Sequence, residues 1–141
     1  MKRIVIGVGN PTRGDDAAGL EVARRVRSIE THQARNGSYE LIDVWEGADE
    51  VIVVDAAKSG APPGTIHRFE TDHEPLPHGV LATSTHSVGV IEAIEMARSL
   101  SRLPERVVVY GIEVSNLTPG VGLSDEVEEA VNQVVMEIDR A

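Results

Sequence analysis

Val51-Ile52-Val53-Val54 places four β-branched residues in a row and ends at once on Asp55. Side chains alternate between the two faces of a strand, so an unbroken apolar run needs cover on both sides. Such a strand belongs at the centre of a parallel sheet with helices above and below. Two other runs share this character. Ile4, Val5, Ile6 and Val8 are closed by Gly9-Asn10-Pro11, and Val107-Val108-Val109 opens a run toward Glu113. Between the runs the apolar residues change to helical spacing. They recur at Leu20, Ala23 and Val26, then at Leu41, Ile42 and Trp45 within Tyr39 to Glu46. They recur again at Val90, Ile94 and Ala97 within Ser87 to Leu100, and from Val127 to Ile138 after Ser124. Short strands are expected at Ser28 to Gln33 and Thr65 to Glu70. This alternation predicts a single α/β domain over residues 1–141, with a mainly parallel sheet between helices.

Composition narrows the function. The formal net charge is −10, from 23 acidic and 13 basic residues, and no basic stripe offsets it. A phosphate backbone is repelled by such a surface, so nucleic acid is not expected as a partner. The chain has no cysteine, which removes disulfides, thiolate metal sites and a cysteine nucleophile together. The apolar stretch after Met1-Lys2-Arg3 stops at Gly9, too short for a signal peptide or a membrane span. A cytoplasmic protein is the expectation.

Ligands of open α/β sheets bind beyond the carboxyl ends of the strands. The residues there are Gly9, Asn10 and the pair Asp15–Asp16 after the first run, Asp55 after the second, and His86 just before a helix. Gly7-Val8-Gly9, with a third glycine at Gly14, approaches a dinucleotide fingerprint, but the spacing is wrong. Two carboxylates also stand where a pyrophosphate would rest. Either aspartate can serve as a helix cap, although capping needs only one side chain. Asp55 can end a ladder and organise the next turn, yet a carboxylate at the rim of an apolar strand calls for a cation, a donor or a raised pKa. His86 alone reads as a residue held at a helix start. Beside two carboxylates, its imidazole completes a ligand set suited to Zn²⁺ or Ni²⁺ with open positions. His67, His73 and His78, with Glu70, Asp72 and Glu74, match no zinc spacing and read as a solvated acidic loop. There is no His-Glu-x-x-His and no Gly-x-Ser-x-Gly elbow, which disfavours a zincin or a serine hydrolase.

Gly7-Val8-Gly9-Asn10 followed by Asp15-Asp16 resembles the opening signature of the hydrogenase maturation proteases. Val53-Val54-Asp55-Ala56, Thr85-His86-Ser87-Val88-Gly89, Gly111-Ile112-Glu113 and Gly120-Val121-Gly122-Leu123-Ser124 resemble their later blocks, in the same order. The resemblance covers nearly the whole chain. It implies a three-layer α/β/α fold with a twisted five-stranded sheet, and metal-contacting side chains at Asp16, Asp55 and His86. It further implies an endopeptidase whose substrate is the [NiFe]-hydrogenase large-subunit precursor. Its metal would be nickel carried by that substrate, with zinc as a possible resting ion. A monomer is expected. The chain departs from the pattern at Ala17, where a glycine is common, and in a shortened Ser28 to Ser38 region, which leaves the particular hydrogenase open. Two other classes share the same trio: a non-catalytic assembly factor that binds a precursor intact, and a general zinc peptidase.

Overall fold

A computed structural model describes residues 1–10, 14–35, 39–70, 89–115 and 122–140. The three β-branched runs become adjacent parallel strands: β1 (Arg3–Val8), β3 (Glu50–Ala57) and β5 (Arg106–Glu113). β2 (Glu30–Ala34) adds in parallel beside β1, and β4 (Ile66–Glu70) runs antiparallel along β5. The sheet order is β2-β1-β3-β5-β4. All eight residues of β3 are buried, as its apolar run requires.

Alternation divides each central strand between two cores. Ile4, Ile6, Val51, Val53, Val107 and Val109 meet α2 (Glu40–Val44) and α3 (Val90–Ser99) on one face. Val5, Ile52, Val54, Val108, Tyr110 and Ile112 meet α1 (Ala18–Arg25) and α4 (Asp125–Arg140) on the other. Each fully buried Val or Ile side chain contributes roughly 1.5–3 kcal/mol of transfer free energy. The low aromatic content is therefore sufficient, with Trp45 as a large buried ring in the first core. Its indole N–H is satisfied by the Arg102 carbonyl at 3.2 Å.

The α/β class and the five-stranded sheet agree with expectation, and most elements lie within two residues of their expected places. One element differs in a way that matters. β3 does not stop at Asp55: Ala56 and Ala57 continue it, paired with Ile112 and Glu113 of β5. On its other side, pairing with β1 ends at Gly7 and Val54. Asp55 is thus inside the ladder toward β5 and beyond it toward β1. Among the described residues, no helix is long and apolar enough to cross a membrane.

Candidate active site

The chain leaves β1 toward β2 on one side and leaves β3 toward β4 and β5 on the other. The carboxyl ends of β1 and β3 therefore flank a topological switch point, where open α/β sheets form their crevice. Asp16 follows β1 and Asp55 lies on β3, so these two residues come from the two sides of that point.

Close backbone approach sets Asp16 in place. Residues Gly14–Ala17 form a single 3₁₀ turn before α1. A Cβ at Gly9 would overlap the Asp16 carbonyl oxygen, and one at Gly19 would overlap the carbonyl oxygens of Val8 and Val54. Gly9 of the phosphate-loop-like run, together with Gly19 of α1, thus lets α1 lie against the ends of β1 and β3. The Asn10 N–H donates to the Asp16 carboxylate at 3.2 Å and to its carbonyl at 3.3 Å.

Neither aspartate caps α1. The cap position is Ala17, without a side-chain hydrogen bond. Asp15 is fully buried and accepts from the Ser115 N–H at 2.9 Å, the Ser124 N–H at 2.7 Å and the Ser124 hydroxyl at 3.0 Å. Its carboxylate ties the turn carrying Asp16 to the end of β5 and the start of α4. Three donors outweigh a cap, because a buried carboxylate needs its charge met on several sides. Ser124 does stand at the start of α4, its carbonyl accepting the Glu128 N–H at 2.8 Å.

Asp55 faces the opposite electrostatic situation. It is 5% exposed, and Oδ1 accepts the N–H of Ala56 at 2.8 Å. Burial pushes its carboxyl well above the ordinary aspartate value. The Ala56 hydrogen bond opposes that rise, and the charge of Asp16 adds to it. Two carboxylates whose charges repel across a crevice form a site that a cation relieves. His86 lies outside the described residues, as do His73, His78, Asp72 and Glu74. Among the described residues, no three His, Asp or Glu side chains converge on a point that could hold a metal. Asp16 and Asp55 by themselves would give a metal two carboxylate ligands.

His67 and Glu70, grouped in sequence with the solvated acidic segment, lie on β4, the strand expected at Thr65 to Glu70. Glu70 ends β4 and pairs with Arg68 and Arg106, each at 2.9 Å. His67 sits within β4, with Nε2 3.1 Å from Glu113. Glu113 also accepts from the Ser59 N–H at 2.9 Å and the Ser59 hydroxyl at 2.7 Å. Burial works against its charge, yet the Ser59 hydroxyl, His67 and the backbone N–H groups of Ser59 and Gly60 hold its carboxyl below the usual range. The signal for Glu113 was the one that singled out Asp55, an acid at the end of a buried apolar run.

Comparison with known proteins settles the family. A family model described as hydrogenase maturation protease matches residues 3–141, almost the entire chain. The chain belongs to the hydrogenase maturation protease family. It is 27% identical to the hydrogenase expression/formation protein HupD of Thiocapsa roseopersicina, over 94% of this chain and 63% of that protein. The chain thus spans a little under two thirds of that relative's length. It is 24% identical to the hydrogenase 2 maturation protease of Escherichia coli, over 98% of this chain and 88% of the relative. Among solved structures, the [NiFe] hydrogenase maturation protease HybD of Thermococcus kodakarensis has the same fold. Its TM-score is 0.82 at 24% identity, covering 99% of this chain and 98% of that one.

Proposed function

We infer that this chain is an endopeptidase that removes the C-terminal extension of the nickel-loaded [NiFe]-hydrogenase large-subunit precursor. It would act in the cytoplasm as a monomer. The observation that carries the reading is the buried Asp55, its proton affinity raised by burial and by the charge of Asp16, at the switch point of a hydrogenase maturation protease fold. A crevice in which two carboxylates repel each other favours a cation, and a set of few protein ligands leaves positions for a metal that arrives with ligands of its own.

In this reading Asp16, Asp55 and His86 contact the nickel that the precursor carries. Seating that metal brings the first peptide bonds of the extension across the crevice. A bound metal can polarise the scissile carbonyl or the attacking water, worth several kcal/mol in the transition state. Water adds to the carbonyl carbon, the C–N bond breaks, and the water's proton passes to the departing amine. Asp55 keeps its carboxylate oriented through the Ala56 N–H, and Asp16 keeps its own through Asn10. A precursor without nickel would seat poorly, which makes metal insertion the gate for cleavage.

The test is the mass of the precursor, nickel-loaded and nickel-free, after incubation with the protein and with its Asp16→Ala and His86→Ala variants. Shortening of the loaded precursor alone, by the unaltered chain alone, is the expected result. A loaded precursor that is bound and never shortened would instead identify a non-catalytic assembly factor. Cleavage of unrelated peptides by a zinc-loaded form would identify a general peptidase.

A further inference from the structure

His67 and Asp55 are partners of the same residue. Gly111 of β5 is in register with Asp55 on one side and with His67 on the other. Val53 and Ala57 lie in the core under α2 and α3, and Phe69 packs against that core. Alternation therefore puts Asp55 and His67 on this same face, in one row, with no side chain on the glycine between them. Two strand spacings separate them, about 10 Å, a length that about three residues of extended peptide cover.

One ring nitrogen of His67 is committed to Glu113. Glu113 keeps its charge and so can only accept, which assigns the proton to Nε2 at 3.1 Å. The Ser59 hydroxyl gives its hydrogen to the same carboxylate at 2.7 Å, and Phe69 lies parallel to the imidazole with centroids 6.4 Å apart. In the neutral ring Nδ1 then carries the lone pair, and among the described residues no hydrogen bond reaches it. The His67 side chain is 20% exposed while Glu113 is 3% exposed. An acceptor is thus presented at the rim by a buried carboxylate behind it.

We propose that His67 is a further substrate-contacting residue of this cleft, positioned by Glu113, and that its Nδ1 accepts a backbone N–H of the precursor about three residues from the bond that is cut. The assignment rests on the proposed function for the identity of the substrate. Its own content is a hydrogen-bond acceptor at a set distance from Asp55. Glu113 acts only through the imidazole and is a positioning residue.

Two substitutions separate this contact from a simple pin for the loop after β3. His67→Gln sets an amide nitrogen near the place of Nε2, so the Glu113 bond survives and the acceptor is lost. His67→Asn sets an amide oxygen near the place of Nδ1, so the acceptor survives and the Glu113 bond is lost. Processing rate, Kd for the nickel-loaded precursor and Tm are measured for the unaltered chain and both variants. His67→Gln is expected to raise KM and Kd about five- to tenfold, as for one lost hydrogen bond, with kcat and Tm unchanged. His67→Asn is expected to lower Tm and keep KM within about twofold. The reverse pattern, or unaltered KM and Kd in both variants, overturns the proposal and leaves His67 as a pin. If the unaltered chain binds the precursor without cutting it, the protease reading fails. The Kd of His67→Gln still decides the contact in that case. Absence of binding by the unaltered chain overturns both.

Discussion

The two ends of the sheet bury an acid to nearly the same depth and treat it in opposite ways. At the amino end Glu50 is 4% exposed, and Arg3 and Arg106 meet it at 3.3 and 3.6 Å. At the carboxyl end Asp55 is 5% exposed, receives one backbone N–H, and looks toward the charge of Asp16. A charge buried beside its counter-charge holds strands in register. One buried beside a like charge costs stability, and such a site persists because something else is gained. Burial alone does not separate the two roles; the sign of the neighbours does.

The largest effect that would sharpen this contrast is catalytic. Asp55→Ala or Asp16→Ala should slow precursor processing by on the order of a thousandfold or more, if the pair seats the metal that supplies several kcal/mol. Single-turnover cleavage followed by mass would read it, and a loss of less than tenfold would remove the pair from the chemistry. Next in size is the packing that brings α1 to the crevice. Gly19→Ala drives a methyl into two backbone carbonyls that cannot step aside, at about 3 kcal/mol and roughly 10 °C in Tm.

Smaller effects probe the charges directly. Glu50→Gln should destabilise by about 1–2 kcal/mol, since both arginines are partly exposed and water screens the pairs. The loss should shrink in high salt, and denaturant unfolding at two ionic strengths would show it. Asp55→Asn is the smallest change and the one of opposite sign. The asparagine oxygen still accepts the Ala56 N–H and the repelled charge is gone, so thermal unfolding at neutral pH should find the metal-free variant more stable than the parent.

Much of this architecture was legible in the sequence, because it rests on local patterns. Val51–Val54 could only be a strand covered on both faces, and its neighbours in type, Ile4–Val8 and Val107–Val109, became its neighbours in space. Asp55 followed from its place at the edge of that run. The bonds of Asp15 did not follow, since they join residues about a hundred positions apart and no local pattern encodes them. A cap was the local solution for Asp15–Asp16, and tertiary donors displaced it. His67 lay on the strand expected at Thr65 to Glu70, but its role was hidden in the same way, since its partner Glu113 sits 46 residues away. The arrangement of His86 with the two aspartates lies outside the described residues.

The central claim is that the carboxyl end keeps a buried carboxylate at a cost to folding. It is tested most directly by the unfolding free energy of the metal-free parent and of Asp55→Asn between pH 3.5 and 8. Asp55 has its folded-state proton affinity raised above the ordinary aspartate value of 3.8. Its stabilising contribution is therefore complete below that value and is lost as pH rises through the higher folded-state value. The two curves should meet at the acid end and separate upward from about pH 4, with the variant the more stable. Parallel curves, or a parent that gains on the variant as pH rises, would mean that Asp55 is as well matched as Glu50 and that the contrast between the two ends is false.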